Sequence, residues 1–357
     1  MRINFISSLV NQQQRGGAYL RCKAIRRLYE LLGFELQTFY QQDISTSSSW
    51  ATWCKSLRYA PRAKIMFNEA VLKMPPADYL HLDNLRQFHW HFPQHGETPI
   101  IYNAHNLEFE NYYDRSDSFY ARQFMHYECR QMQRAKIILL CSEREKNILL
   151  KLRPELREKI FIVPNLVDRA DYKISRHKNI IAFIGTLDYY PNTQAIHYLC
   201  TEFLQKIPPS LVAKYRFIIA GRSPLPGQSE MIQRAGFELQ TNLSNREMLD
   251  LYSETLVSLV PLSSGSGTRL KIIEGVMAGA RILATPLGQE GLQGKMITTS
   301  SLEHFPSALI DLLAHLQRED LKSDFAAFQK AYDIDEFYHR HEEQLRRLLH
   351  IPLPIVR

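Results

Sequence analysis

Cysteine is scarce and scattered in this chain. Its 357 residues include five cysteines, Cys22, Cys54, Cys129, Cys141 and Cys200, and none of them forms a CxxC pair. An odd set without paired spacing argues against a disulfide framework and against a zinc site of closely spaced thiols. We therefore expect reduced thiols in a cytoplasmic protein.

Long apolar runs and low-complexity tracts are also absent. Without about 18 consecutive apolar residues no membrane span is expected, and the apolar stretch in MRINFISSLV is too short for a signal peptide. That stretch instead predicts a first β-strand. The remaining composition, 45% hydrophobic and 23% charged, is typical of a globular chain long enough for two domains.

The sequence carries a formal net charge of +7 but no recognised nucleic-acid-binding motif, so nucleic acid is the weakest candidate partner. A basic balance favours phosphorylated ligands or an anionic membrane surface. The segment 49–64 mixes tryptophan and tyrosine with lysine and arginine. It suits a membrane headgroup region, although a core-facing helix with a basic outer face fits too, and scattered solvated charges remain the simpler interpretation.

Strand-like and helix-like segments alternate in two series, a pattern that predicts two parallel sheets covered by helices. Predicted strands are 2–7, 35–40, 78–82, 99–103, 136–141 and 160–163, then 179–185, 215–221, 236–241, 256–261 and 281–285. Predicted helices are 17–32, 108–134, 142–152, 193–206, 244–253, 268–278, 302–316 and 321–349. We expect an α/β protein with two doubly wound domains that face each other across a cleft, and ligands at the carboxyl ends of the strands.

A polar stretch over 165–178 separates the two series. It predicts an N-terminal domain over 1–168 and a C-terminal domain over 169–335. The last helix, about 336–357, is expected to pack back on the N-terminal domain.

The most informative segment runs from Val260 to Leu292, VPLSSGSGTRLKIIEGVMAGARILATPLGQEGL. A loop of small residues leads into a helix that carries Arg269, Lys271 and Glu274. Backbone amides and the dipole at a helix start favour an anion, and two cations there suit a diphosphate. Glu274 lies on an apolar helix face, where a carboxylate needs a partner.

Simpler interpretations of this segment remain open. Its glycines match neither a dinucleotide fingerprint nor a P-loop. They also fit a tight turn with Ser266 or Thr268 as helix N-cap. Lys271 and Glu274 also have the spacing of an ion pair on an exposed helix face.

Two motifs in the first half point toward the same edge of a sheet. Gly16 and Gly17 join the first strand to the first helix, where backbone can approach a ligand. His105 follows the strand that ends near Asn103 and projects toward the expected ligand site. His105 and Glu108 supply too few ligands for a metal site. Asn106 is also a plausible N-cap for a helix that begins at Leu107. The histidines 89, 91 and 95 fit a structural role better than a metal site.

The ordered motifs RGGAYLRCKAIRRLYELLGFEL, YNAHNLE, CSEREKNIL, VPNLVD, IAFIGTLDYYPNTQAI and SGSGTRLKIIEGVMAGARILATPLGQEGL resemble those of family-four retaining glycosyltransferases. This family is the group 1 glycosyltransferases, in the form G-x-G-T-R-x-K-x-x-E. The resemblance spans nearly the whole chain and implies the GT-B architecture. It also implies a nucleotide-diphosphate sugar as donor and a hydroxyl-bearing acceptor.

The resemblance also implies roles for individual residues. Arg269 and Lys271 would hold the diphosphate, Glu274 would bind the ribose hydroxyls, and His105 would contact the transferred sugar. Further substrate-binding positions implied in this way are Gly16, Gly17, Gly185, Arg222, Gly265, Ser266, Gly267, Thr268, Gly288, Glu290 and Gly291.

The chain departs from the family at two places. Ser266 replaces a glutamate eight residues before Glu274, and Asp188 and Asn192 lie near positions where many members carry arginine and lysine. The cationic role would then pass to Arg269 and Lys271, which makes a metal dispensable. We expect no cofactor and a cytoplasmic enzyme that acts in glycan synthesis, peripheral at a membrane if the acceptor is lipid-linked. The alternatives are an epimerase-like enzyme and a catalytically silent binding subunit.

Overall fold

The structure is a computed structural model that describes residues 1–7, 16–40, 46–47, 69–70, 74–84, 96–110, 118–175, 178–265, 269–316 and 321–352. Contacts group the chain into two compact units. The first unit comprises Met1–Gln13, Ala18–Asn165 and Tyr338–Arg357, and the second comprises Gln14–Gly17 and Leu166–Phe337.

The first unit is built on a six-stranded sheet in which every neighbouring pair is parallel. Its strands, in spatial order, are β2 (Glu35–Phe39), β1 (Arg2–Ile6), β5 (Tyr79–Leu82), β6 (Ile100–Asn103), β7 (Ile137–Leu140) and β8 (Ile160–Ile162). The strand order reverses between β1 and β5, so this pair forms the switch point at which open α/β sheets bind ligands. A separate antiparallel pair joins β3 (Thr46–Ser47) to β4 (Glu69–Ala70).

The second unit contains another fully parallel six-stranded sheet. Its spatial order is β11 (Glu238–Thr241), β10 (Arg216–Gly221), β9 (Ile180–Ile184), β12 (Thr255–Val260), β13 (Arg281–Ala284) and β14 (Ile297–Thr299). Here the switch point lies between β9 and β12. The predicted α/β class with two parallel sheets is confirmed.

Helices connect the strands of both sheets. They are α1 (Gly17–Leu31), α2 (Ser118–Arg134), α3 (Glu143–Leu152), α4 (Tyr190–Tyr198), α5 (Pro209–Lys214), α6 (Gln228–Arg234), α7 (Asn245–Glu254), α8 (Leu270–Met277), α9 (Pro286–Gln289), α10 (Phe305–His315), α11 (Lys322–Tyr332) and α12 (Ile334–Leu348). Short 3-10 turns occupy Pro154–Lys159, Arg169–Asp171 and Leu204–Lys206, and a π-turn occupies Leu199–Phe203.

The sequence pattern explains why these strands lie in the interior. Strands β5, β7 and β9 are buried along their whole length, as expected for parallel sheets that are covered on both faces. Side chains within the strands therefore build the cores. Polar groups that reach a ligand must come from the segments that follow the strands.

Several helix boundaries differ from the sequence predictions. The predicted helix 321–349 is two helices, because Asp333 adopts an extended conformation between α11 and α12. Its carboxylate accepts bonds from the backbone N–H groups of Arg169 and Glu336, both at 3.0 Å. The predicted helix 193–206 ends as an α-helix at Tyr198, and β14 was not predicted from the sequence.

Other sequence predictions concern thiols and membrane spans. Cys22, Cys129, Cys141 and Cys200 are buried free thiols. Of the helices that the structure describes, none combines the length and apolar composition that a membrane span requires. The aromatic and basic segment 49–64, the histidines 89, 91 and 95, and Cys54 lie outside the described residues.

Two glycines bring neighbouring strands of the second sheet very close together where they end. A Cβ atom on Gly221 would lie 1.8 Å from the carbonyl oxygen of Gly185, so no side chain fits there. Backbone atoms cannot move aside as a flexible side chain would. This close approach sets the positions of the loops after β9 and β10.

Gly221→Ala should therefore destabilise the second unit by about 3 kcal/mol, because the new methyl group forces the strand ends apart. Gly96→Ala is a matched control, since nothing lies within 4 Å of its would-be Cβ. Its change should stay within about 0.5 kcal/mol. Chemical denaturation measures both variants, and equal stability of the two would show that the strand ends can separate freely.

Candidate active site

The ammonium of Lys271 lies at the end of strand β9 in the second unit. Its Nζ donates to Asn192 Oδ1 at 2.8 Å and lies 4.2 Å from the centre of the Phe183 ring. A Cβ atom on Gly185 would be 3.0 Å from this Nζ. Helix α8 thus carries its cation to the loop that follows β9.

The environment of Lys271 disfavours its charge. Burial, together with the nearby Arg269 guanidinium, lowers the pKa of Lys271 to about 7. The partners that the structure describes for its ammonium, the Asn192 amide and the Phe183 ring, carry no negative charge. Two cations held close together in this way would gain strongly from an anion.

Arg269 immediately precedes α8 and is 7% exposed. Its Nη2 donates to the Gly265 carbonyl at 2.7 Å and makes a longer bond to the Leu287 carbonyl at 3.4 Å. Gly265 has a φ of +101°, which favours glycine. Arg269 therefore joins the loop after β12 to helix α9, which follows β13.

Glu274 is buried on the inner face of α8, as its position in the sequence predicted. Each carboxylate oxygen accepts a tyrosine hydroxyl, Oε1 from Tyr172 at 3.0 Å and Oε2 from Tyr252 at 3.1 Å. The alternative of an exposed ion pair with Lys271 is wrong, because the two side chains have these separate partners.

Helix α8 begins later than predicted, at Leu270 rather than 268, and the N-cap position is Arg269. The backbone of Arg269 is not helical, with φ −82° and ψ 84°, and its side chain makes no capping bond. Ser266, Gly267 and Thr268, predicted to bind substrate or cap the helix, lie outside the described residues.

The remaining predicted positions of the second unit lie at the carboxyl edge of its sheet. Gly185 follows β9, Arg222 follows β10, and Gly288, Glu290 and Gly291 follow β13. A Cβ on Gly288 would lie 2.4 Å from the Val260 carbonyl, and Gly291 has a φ of +81°. Lys271, Arg269, Gly185 and Gly265 are brought together by the contacts above.

His105 belongs to the first unit and follows β6. Its Nε2 lies 2.9 Å from Oδ1 of Asp83, and the His105 side chain is 12% exposed whereas Asp83 is fully buried. Asp83 follows β5, which pairs with β6. The two residues therefore meet at the carboxyl edge of the first sheet.

The chain just after His105 is held by Glu128 of α2. This carboxylate accepts the backbone N–H of Glu108 at 3.1 Å and that of Phe109 at 2.9 Å. The helix predicted from Leu107 with Asn106 as its N-cap is wrong at this point, because residues 107–109 form no helix and Glu128 supplies the acceptors.

The predicted glycine positions Gly16 and Gly17 lie at the start of α1. Gly17 is the first residue of this helix, directly after Gly16.

Among the described residues, one group has donor atoms close enough to hold a metal ion. It comprises Cys22, Asp83 and His105, whose ligand atoms lie within 4.8 Å of one another. From the sequence, His105 and Glu108 were considered as metal ligands, whereas Cys22 and Asp83 were not. Asp83 directly follows a predicted strand, as His105 nearly does, so its position was a usable signal.

Other side chains were missed in the second unit. Phe183 lies within β9 and Tyr252 within α7, where a buried aromatic residue gives no sign of its partner. Tyr172 lies in the stretch predicted as a linker. Asn192 was noted only as a departure from the family, yet its amide is the direct partner of Lys271.

Comparison with known proteins finds a family match within the second unit. Residues 178–315 match the family described as glycosyl transferases group 1, which confirms the resemblance over this part of the chain. No curated protein matches the chain in a sequence comparison.

Solved structures extend the likeness to the whole chain. HepE from Anabaena in complex with UDP and glucose has 13% sequence identity and a TM-score of 0.64, over 97% of this chain and 100% of HepE. Sucrose-phosphate synthase from Thermosynechococcus elongatus has 14% identity and a TM-score of 0.69, over 98% and 99% of the two chains. WaaG, a glycosyltransferase involved in lipopolysaccharide biosynthesis, has 13% identity and a TM-score of 0.58, over 98% and 97%. These likenesses confirm the GT-B fold.

The low pKa of Lys271 makes stability depend on pH. The folded protein releases this proton near pH 7, whereas an unfolded lysine does so near pH 10.4. Between these values the unfolded chain binds more protons, so the free energy of unfolding should rise with pH. Lys271→Met should remove this part of the rise and leave the protein no less stable at pH 7.

Urea denaturation between pH 6.5 and 9.5 measures the effect. Lys178, whose pKa burial lowers to about 8, contributes equally to both proteins and cancels in the comparison. Lys295→Met, at a side chain 74% exposed, should keep the wild-type slope. The same slope in Lys271→Met and wild type would contradict the assignment.

Proposed function

Because residues 178–315 match the group 1 glycosyltransferases, we propose that the protein is a retaining glycosyltransferase. It moves a sugar from a nucleotide-diphosphate donor to an acceptor hydroxyl. The second unit binds the nucleotide diphosphate.

The pair of cations at the start of α8 carries this proposal. Lys271 and Arg269 are close enough for the arginine to lower the pKa of the lysine. A structural lysine in such a place normally has a carboxylate partner, but the contacts that Lys271 makes with described residues are uncharged. A diphosphate would supply the missing negative charge and return the ammonium to its charged form.

The shape of the loops supports the same ligand. Gly185 and Gly265 border the two cations, and neither residue has a side chain that would come between a phosphate and these cations. Ser266, Gly267 and Thr268 follow in the sequence, and we assign them further backbone donors. No resident metal is needed at the diphosphate, because the two side chains supply the positive charge.

Glu274 is assigned to the ribose of the donor. Each oxygen of a carboxylate can accept more than one hydrogen bond, so the tyrosines that hold Glu274 leave acceptor capacity for ribose hydroxyls. Tyr172 and Tyr252 would then orient the carboxylate. We assign Arg222, Glu290 and Gly291 to the rim of the donor site.

His105 of the first unit is assigned to the transferred sugar, and Gly16 and Gly17 are assigned to close approach of their own backbone to phosphate and acceptor. These roles rest on the motif resemblance. They receive support from the position of His105 at the carboxyl edge of its sheet.

The proposed reaction depends on departure of the nucleotide diphosphate from the donor sugar. The bond between the anomeric carbon and the phosphate oxygen breaks, and negative charge grows on the diphosphate, where fixed cations stabilise it most. The acceptor oxygen bonds to the anomeric carbon from the same face, and its proton passes to a diphosphate oxygen. Retention of configuration then requires no carboxylate nucleophile.

The ligand of a structural neighbour indicates which donor to test first. HepE was solved with UDP-glucose, so a uridine diphosphate sugar is the first donor to test.

We propose a cytoplasmic enzyme of glycan or polysaccharide synthesis. A sequence pI near 9.0 suits peripheral association with the anionic inner face of a membrane that presents a lipid-linked acceptor.

Arg269→Ala and Lys271→Ala should abolish sugar transfer and leave the fold intact. Loss of one preorganised donor to a developing anion slows chemistry by about a hundredfold or more. Transfer from a panel of radiolabelled nucleotide sugars measures the rate, and isothermal titration with UDP measures binding. Arg246→Ala and Lys295→Ala, at side chains 92% and 74% exposed, are matched controls that should keep wild-type rates.

Three results would contradict the proposal. Wild-type rates in the Arg269 and Lys271 variants would remove the diphosphate site. Release of an isomerised free sugar without transfer would identify an epimerase-like enzyme. UDP binding without transfer or hydrolysis of any donor would indicate a silent binding subunit.

A further inference from the structure

A buried carboxylate lies at the switch point of the first sheet. Asp83 directly follows β5, and its backbone N–H donates to the Ile6 carbonyl of β1 at 3.1 Å. It is therefore located between the two strands where the strand order reverses. Burial of a carboxylate is costly unless several donors satisfy it.

Three donors surround this carboxylate. Asn103 Nδ2 donates to Oδ1 at 2.8 Å, the Cys22 thiol donates to Oδ2 at 2.6 Å, and His105 Nε2 lies 2.9 Å from Oδ1. His81 Nε2 is farther away, 3.9 Å from Oδ1. Only His105 among these residues retains exposure of its side chain.

The orientation of Asn103 fixes which groups donate. Arg21 can only donate, and its Nε bonds Asn103 Oδ1 at 3.0 Å. The amide nitrogen of Asn103 must therefore face Asp83, whose Oδ1 acts as an acceptor. Arg21 is itself held by the carbonyl oxygens of Val163 and Pro164.

The protonation of His105 follows from this arrangement. Burial by itself would raise the pKa of Asp83, but the charges and hydrogen bonds of His105 and His81 lower it well below its usual value. An ionised carboxylate only accepts hydrogen bonds. The Nε2 atom of His105 must therefore carry a proton, and Nδ1 is the ring nitrogen left to face a ligand.

We propose that Asp83 is the positioning residue of His105, fixing its ring and its Nε2 proton so that Nδ1 faces the transferred sugar. The proposal rests on the function proposed above for His105. The supports of Asp83 are themselves buried: Asn103 bonds Asp83, and Arg21 bonds Asn103. Held in this way, the imidazole needs no reorientation when the substrate binds.

The same group of atoms invites comparison with a metal centre. Ligand atoms that share one zinc ion lie roughly 3.3 Å or more apart. Here Cys22 Sγ and Asp83 Oδ2 are 2.6 Å apart, and His105 Nε2 and Asp83 Oδ1 are 2.9 Å apart. These are distances of direct hydrogen bonds, so a hydrogen-bonded carboxylate accounts for the geometry.

Nuclear magnetic resonance of protein labelled with ¹⁵N-histidine tests the positioning directly. His105 is assigned by the signal that disappears in His105→Ala. The wild type should show a slowly exchanging Nε2 proton, and Asp83→Ala should abolish it. Asp83→Asn should preserve it, because the amide oxygen would still accept from His105 and Asn103.

Kinetics test the consequence for transfer. Asp83→Ala and His105→Ala should each lower kcat by about a hundredfold, and the double variant should show no further loss because the residues act as a unit. Asp83→Asn should recover most of the rate. UDP affinity, which reports on the second unit, should stay at the wild-type value, and Asp250→Asn, at a side chain 63% exposed, is the control.

The outcomes separate this proposal from the proposed function. A wild-type rate in Asp83→Ala with a slow His105→Ala would overturn the positioning role alone, as would additive losses in the double variant. A wild-type rate in His105→Ala would overturn the role of His105 and this inference with it. A stoichiometric metal that is lost in Asp83→Ala would replace the hydrogen-bonded carboxylate with a metal centre.

Discussion

The donor site depends on two like charges, Lys271 and Arg269, that are held close together although Lys271 has no negatively charged partner among the described residues. Within the part of the chain that the structure describes, Lys271 contacts the Asn192 amide and the Phe183 ring, and backbone carbonyl groups accept hydrogen bonds from Arg269. Keeping the Lys271 ammonium in this position lowers the stability of the folded protein, because burial disfavours its charged form. Such an arrangement is favourable only when an anion joins it, which connects the structure of α8 to the chemistry of a diphosphate.

The two units place opposite charges at the carboxyl edges of their sheets. In each parallel sheet the central strands are buried, and the polar groups of the proposed site lie at the carboxyl edge, near the switch point. The second unit concentrates positive charge there, on Arg269 and Lys271. The first unit buries Asp83, which is satisfied by Asn103 and Cys22 and bonded to His105.

Much of this organisation could be predicted from the sequence, because it depends on local patterns. Continuous apolar runs such as Ile180–Ile184 predict buried parallel strands, and the inward position of Glu274 predicts a buried carboxylate. The partners of these residues could not be predicted. Tyr252 and Tyr172 reach Glu274, and Asn192 reaches Lys271, across 22, 102 and 79 residues of chain. Only tertiary packing brings such distant side chains together, and the break at Asp333 also depends on a distant contact, with Arg169.

A crystal structure of the protein with UDP tests the central claim most directly. The account predicts phosphate oxygens within hydrogen-bonding distance of Lys271 Nζ and the Arg269 guanidinium, with the ribose hydroxyls near Glu274. A diphosphate bound elsewhere, with Lys271 still bonded only to Asn192, would contradict it.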